Sequence, residues 1–121
     1  MKFVFSFQKI LDVKTNEKKQ TESLLAQAIG QVGELERELA ELNNIKNELQ
    51  KQLSDAVRVR RMAEMRMTQH YVEFLEDSIR RTMRKRADAE RQVNELREQL
   101  TARTVEEKVW LNARDKAYAE F

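Results

Sequence analysis

Stepping alternately by three and four residues from Val4, the chain passes through Phe7, Leu11, Lys14, Lys18, Thr21, Leu25, Ala28, Val32, Leu35, Leu39, Leu42, Lys46, Leu49, Leu53 and Ala56. Twelve of these sixteen positions are apolar, against 40% hydrophobic residues in the whole chain. A repeat averaging 3.5 residues keeps one stripe of an α-helix turned towards a partner, so the pattern predicts a coiled-coil seam on one long helix. A second, weaker seam begins at Met65 and runs through Val72, Leu75, Ile79, Ala89, Val93, Leu96, Leu100, Trp110, Ala117 and Phe121. Its polar members are Thr68, Thr82, Arg86, Arg103, Glu107 and Arg114.

The two seams are out of phase. Extending the first places a core position at Met67, whereas the second places it at Val72, five residues on. Coiled coils absorb inserts of three or four, so an offset of five predicts a break, set here at residues 56–65. If the chain folds back there, core partners have numbers adding to 121: Leu42 with Ile79, Leu49 with Val72, Leu25 with Leu96, Leu11 with Trp110. The polar layers coincide in that register, Lys14 with Glu107 and Lys18 with Arg103. Glu34, Glu36, Glu38 and Glu41 come alongside Arg80, Arg81, Arg84 and Lys85, as charge pairing between arms requires. The expected fold is therefore all-α, a single antiparallel coiled-coil hairpin over residues 1–121. Arm one covers about 4–57 and arm two about 64–121, each roughly 80 Å long at about 1.5 Å per residue. The stretch VRVRRMAE holds no Gly, Pro or Asn to force the turn, so one unbroken helix in a parallel dimer is the structural alternative. Gly30 and Gly33 lie off the seam and read as tolerated surface glycines or as a point of close approach.

Composition agrees with long helices: 36% charged residues, no proline, no cysteine and two glycines among 121 residues. No run of about 18 apolar residues is available to span a bilayer, and the N-terminus lacks a signal-peptide pattern. This points to a soluble, cytoplasmic chain. One histidine, no cysteine, no Gly-rich phosphate loop and no metal-ligand spacing argue against an enzyme, a cofactor, a bound metal or a small-molecule substrate.

In the hairpin register six of the eight aromatics, Phe3, Phe5, Phe7, Trp110, Tyr118 and Phe121, share the end that carries both termini. Part of this group closes the seam. Two helices cannot bury six aromatics on one seam, so others face outward as partner anchors, Phe3 and Phe5 first among them. A second apolar excess lies nearer the bend, where Ile45, Tyr71 and Phe74 flank the seam. Leu42, Ile45 and Leu49 on one arm and Tyr71, Leu75 and Ser78 on the other form either a docking stripe or a broadened core. Met62, Met65 and Met67 add adaptable apolar surface. Residues 58–86 carry nine basic and four acidic side chains. Nucleic acid is the first partner such a patch suggests, but no aromatic platform accompanies it. Arg58, Arg60, Arg61 and Arg66 lack an evident partner within the hairpin and suit an acidic protein surface.

The pattern Phe5-x-Phe7-x-x-x-Leu11-x-x-Lys14-x-x-Glu17 in FVFSFQKILDVKTNEKK resembles the N-terminus of the flagellar export protein FliJ family. The segments HYVEFLEDSI near the bend and WLNARDKAYAEF at the end fit the same plan. Family members usually run somewhat further, and Phe121 falls on a seam position without a stop signal, which leaves a clipped C-terminus open. The resemblance implies a soluble, non-enzymatic part of the flagellar type III export apparatus, at the cytoplasmic face of the basal body, akin to the central stalk of rotary ATPases. It assigns Phe3, Phe5, Phe7, Trp110, Tyr118 and Phe121 to the hexameric export ATPase. Leu42, Ile45, Leu49, Tyr71, Leu75 and Ser78 go to the cytoplasmic domain of the membrane export gate, and export chaperones are further partners. The rival readings are a generic coiled-coil adaptor, a nucleic-acid-binding coiled coil and the corresponding stalk of a virulence secretion system.

Overall fold

The computed structural model describes residues 2–55 and 62–121. The chain is an all-α hairpin of two long helices, α1 (Gln8–Asp55) and α2 (Met62–Glu120), with no strand among the described residues. Both helices are rich in strong helix formers, and Glu64 in the first turn of α2 suits the positive end of the helix dipole. α1 starts only at Gln8, whose amide donates to the Phe5 carbonyl at 3.1 Å, followed by the Leu11 amide to the Phe7 carbonyl. The preceding Phe3-Val4-Phe5 is a run of aromatic and β-branched residues with modest helix propensity, and it forms a non-helical strap. At the other end the Phe121 amide is shared between the Ala117 and Tyr118 carbonyls. The expected bend falls largely on residues 56–61, which lie outside the described residues.

Both helices pass through two compact units. A terminal unit takes the N-terminal residues through Ile29 together with Arg91–Phe121, and a central unit takes Gly30–Glu90. In the terminal unit the core is Phe5, Leu11, Ala28, Val93 and Leu96, with Thr21 and Glu107 also buried. The central core is Leu39, Val72, Leu75, Ile79 and Ala89, with Thr82. Every seam position from Leu11 to Leu53, and from Met65 to Ala117, is buried or half-buried. Leu11 and Val72 are enclosed almost completely, and a side chain so placed contributes about 2 kcal/mol through loss of apolar surface to water.

The seam's first two positions do not hold. Val4 and Phe7 are exposed, and Phe5 is buried in their place. A helical step of three and four carries over only where the backbone is helical, and the strap ends the helix before either residue. The glycines produce no close approach: a Cβ on Gly30 would meet nothing within 4 Å, and on Gly33 only the tip of Arg37 at 3.7 Å. They are tolerated positions on α1.

Candidate functional site

The strap lays its aromatic side chains against the last turns of α2. Phe3 meets Tyr118 edge-on with ring centres 5.1 Å apart and touches Phe121 at 5.6 Å. Phe5 contacts Phe7 at 5.9 Å, and Phe7 reaches Trp110 at 5.6 Å. Edge-to-face and tilted pairs at these spacings add about 0.5–1.5 kcal/mol each beyond area burial. All six aromatics assigned to this end from the sequence are therefore gathered, but their roles differ from expectation. Phe5 is 9% exposed and belongs to the core, while Phe7, Tyr118 and Phe121 are 50%, 65% and 66% exposed. The strap sets this division, because it turns Phe5 inward and leaves one side of Phe7 open. Beside it lies a cleft of about 530 Å³ lined by Phe3, Val4, Phe5, Gln8, Arg114, Asp115 and Tyr118.

One to two turns further along, the seam becomes ionic. Lys14 and Arg103 each contact both Glu17 and Glu106: Lys14 Nζ lies 3.3 Å from Glu106 and 3.8 Å from Glu17, and Arg103 Nη1 lies 3.0 Å from Glu17 and 3.3 Å from Glu106. The result is a closed ring of alternating charge across the two helices. Next to it Lys18 Nζ donates to Glu107 Oε1 at 3.2 Å. The expected layer is present, with different partners. Lys14 pairs with Glu106 where Glu107 was expected. Lys18 pairs with Glu107, and Arg103, expected opposite Lys18, binds Glu17. A like-charge contact between Lys18 and Arg103 is thus avoided by carboxylates that flank the seam one residue away. Their position beside Lys18 and Glu107 in the sequence was the available signal.

Both carboxylates of α2 here titrate below the ordinary carboxylate value of 4.5. For Glu106 the main cause is the hydrogen bond from Lys14, with the charges of Lys14 and Arg103 acting in the same direction. For Glu107 it is the hydrogen bond from the Thr15 hydroxyl, then that from Lys18. These hydrogen bonds and charges favour the ionised form and outweigh partial desolvation, which acts against it.

In the central unit Tyr71 and Phe74 stack at 6.2 Å with their planes 14° apart, 48% and 58% exposed, and Ile45 is also open to solvent. Leu42, Leu49 and Ser78 are half-buried, and Leu75, at 3% exposure, sits in the core. The sequence-defined stripe is thus divided into an inner and an outer set, with Phe74 belonging to the outer one. Ser78 Oγ accepts a hydrogen bond from Arg81 at 3.1 Å.

Two of the cations expected opposite the acidic side chains of α1, Arg80 and Arg81, pair within α2 instead. Arg80 and Arg81 both bind Asp77, and Arg86 lies 3.7 Å from Glu90, all within α2. Pairs three and four residues apart on one helix form without either side chain having to reach across a seam. Across the helices of this unit, Lys46 pairs with Glu76 at 3.6 Å. Of the basic patch, Arg58, Arg60 and Arg61 lie outside the described residues. Arg66 is exposed and lines a cleft of about 390 Å³ with Leu53, Ser54, Met62, Met65 and Gln69. His70 is exposed beside Glu73 at 3.7 Å. Among the described residues no group of acidic or histidine side chains is arranged to hold a metal ion, and no helix is long and apolar enough to cross a membrane.

A helical hairpin with an aromatic end and a ring-stacked stripe among its described residues is a coiled-coil protein. The chain matches the family model for the flagellar FliJ protein over residues 2–121 and therefore belongs to the FliJ family. Its setting is accordingly the flagellar protein export apparatus, in which this family is a non-catalytic component. Comparison with curated proteins and with solved structures finds no match.

Proposed function

We propose that this protein is a central-stalk-like element of the export apparatus, acting as a single hairpin at the cytoplasmic face of the flagellar basal body. Its terminal unit binds the hexameric export ATPase and promotes ring assembly or turnover. Its central unit contacts the cytoplasmic domain of the membrane export gate. The observation that carries the first part is the division of the aromatic end. Phe3 and Phe5 fix the strap, and Phe7, Tyr118 and Phe121 are left as large exposed apolar side chains, with Tyr118 also lining the cleft, the arrangement expected of anchors at a protein interface. The gate contact rests on the exposed Tyr71–Phe74 stack beside Ile45.

Titration of the cognate export ATPase with the protein, following ATP hydrolysis and ring assembly together, tests the reading. The parent chain is expected to stimulate, and Phe7→Ala/Tyr118→Ala to lose most of the effect while staying helical. Equal stimulation by both proteins moves the ATPase contact away from this end. No stimulation by either favours a generic adaptor.

A further inference from the structure

We propose that the ionic layer of the terminal unit is a register lock, which admits one alignment of α1 on α2 and disfavours association of like helices. The seam there carries Lys14 and Lys18 on α1 and Arg103 and Glu107 on α2, with Glu17 and Glu106 closing the ring at its edge. These side chains keep only 12–41% of their exposure in the hairpin, so they lose part of their solvation on assembly and an arrangement that leaves them unpaired on the seam is disfavoured relative to the paired one. A single polar seam residue is enough to specify register in coiled coils, at a cost in stability.

Each alternative alignment breaks this layer. A slip of one heptad in one direction brings Lys14 level with Arg114 and Lys18 level with Trp110, and leaves Arg103 against Leu25. The opposite slip sets Lys14 against Leu100 and Lys18 against Leu96, with Arg103 facing Leu11. Pairing α1 in parallel with α1 of a second copy places each lysine against its own counterpart. The apolar part of the seam discriminates much less, because leucine, valine and alanine recur at heptad spacing on both helices and most of them still meet an apolar residue after either slip. In the central unit the cross-helix contact of Lys46 with Glu76 is a single ion pair of similar exposure, whereas the terminal layer joins a ring of four charges to a further pair, and a network constrains alignment more than an isolated pair. The decision therefore rests on the terminal layer.

The chain has no cysteine, so introduced thiols report register directly. Ala28→Cys with Val93→Cys are opposed in the observed alignment, and Ala28→Cys with Leu100→Cys become opposed after a one-heptad slip. Oxidation at low protein concentration, read by intact mass, is expected to close the first pair and not the second. In a background of Lys14→Leu/Lys18→Leu/Arg103→Leu/Glu107→Leu the slipped product or products between copies should rise about tenfold, with no fall in melting temperature. If that background still gives only the disulfide between positions 28 and 93, in a monomer, the lock is overturned. Where it does not remain helical, Glu107→Lys alone and Glu107→Lys/Lys18→Glu decide. The first must lower the yield of the 28-to-93 disulfide several-fold and the second restore it, and failure of the restoration overturns the proposal.

Discussion

The terminal and central units are built from the same two helices and close in different ways. The central core is a run of aliphatic side chains, Leu39, Val72, Leu75 and Ile79, with a buried threonine and the Lys46–Glu76 pair at its edge. The terminal unit interrupts its aliphatic core with a charged ring and finishes it with aromatics delivered by a non-helical strap. Aliphatic contacts give cohesion but tolerate alternative alignments, whereas paired charges and fitted rings accept few. Where both termini come together, alignment has to be set and the last turns kept from fraying. The hairpin places its selective contacts there.

Substitutions can break or sharpen this contrast, beginning with the cores. Leu75→Ala, in the aliphatic core, should cost about 3 kcal/mol in urea unfolding followed by circular dichroism. A loss below about 1 kcal/mol would mean that this core is not the main source of cohesion. Phe5→Ala should cost about 2 kcal/mol, less than a mid-core phenylalanine because the strap that holds it can detach locally. Hydrogen exchange should show that loss confined to the first turns of α1 and the last turns of α2.

Smaller effects follow from helix propensity and charge. Gly30→Ala and Gly33→Ala should each raise stability by about 1 kcal/mol, since neither position meets an obstruction. The depressed carboxyls of Glu106 and Glu107 contribute stability that is complete above the ordinary carboxylate range and lost as pH falls through their lowered folded values, below 4.5. Glu107→Gln should therefore lower the melting temperature slightly at neutral pH and flatten its decline between neutral and acid pH. An unchanged acid slope would place the titrating contribution elsewhere. Phe74→Ala, at an exposed ring, should shift stability by less than about 0.5 kcal/mol. A clear destabilisation would show that the Tyr71–Phe74 stack belongs to the core and not to an outer contact surface.

The heptad spacing of leucine, valine and alanine determined from sequence alone that α1 and α2 are long helices, which side of each is covered, and that the two seams are out of phase. This was legible because a helix repeats its environment every 3.5 residues in a coiled coil, so local order in the chain becomes spatial order on one face. The same logic failed at Val4 and Phe7, where the backbone leaves the helix and the covered residue becomes Phe5. It also named the ionic layer without its pairs. Long charged side chains reach about a turn along the neighbouring helix, so Glu17 and Glu106 could replace the partners directly opposite. Only the tertiary structure decided which aromatics close the core and which face solvent, and which carboxylate each cation meets. Those outcomes depend on the strap's path and on side-chain reach between segments more than eighty residues apart, as between Arg103 and Glu17, and neither is carried by the repeat.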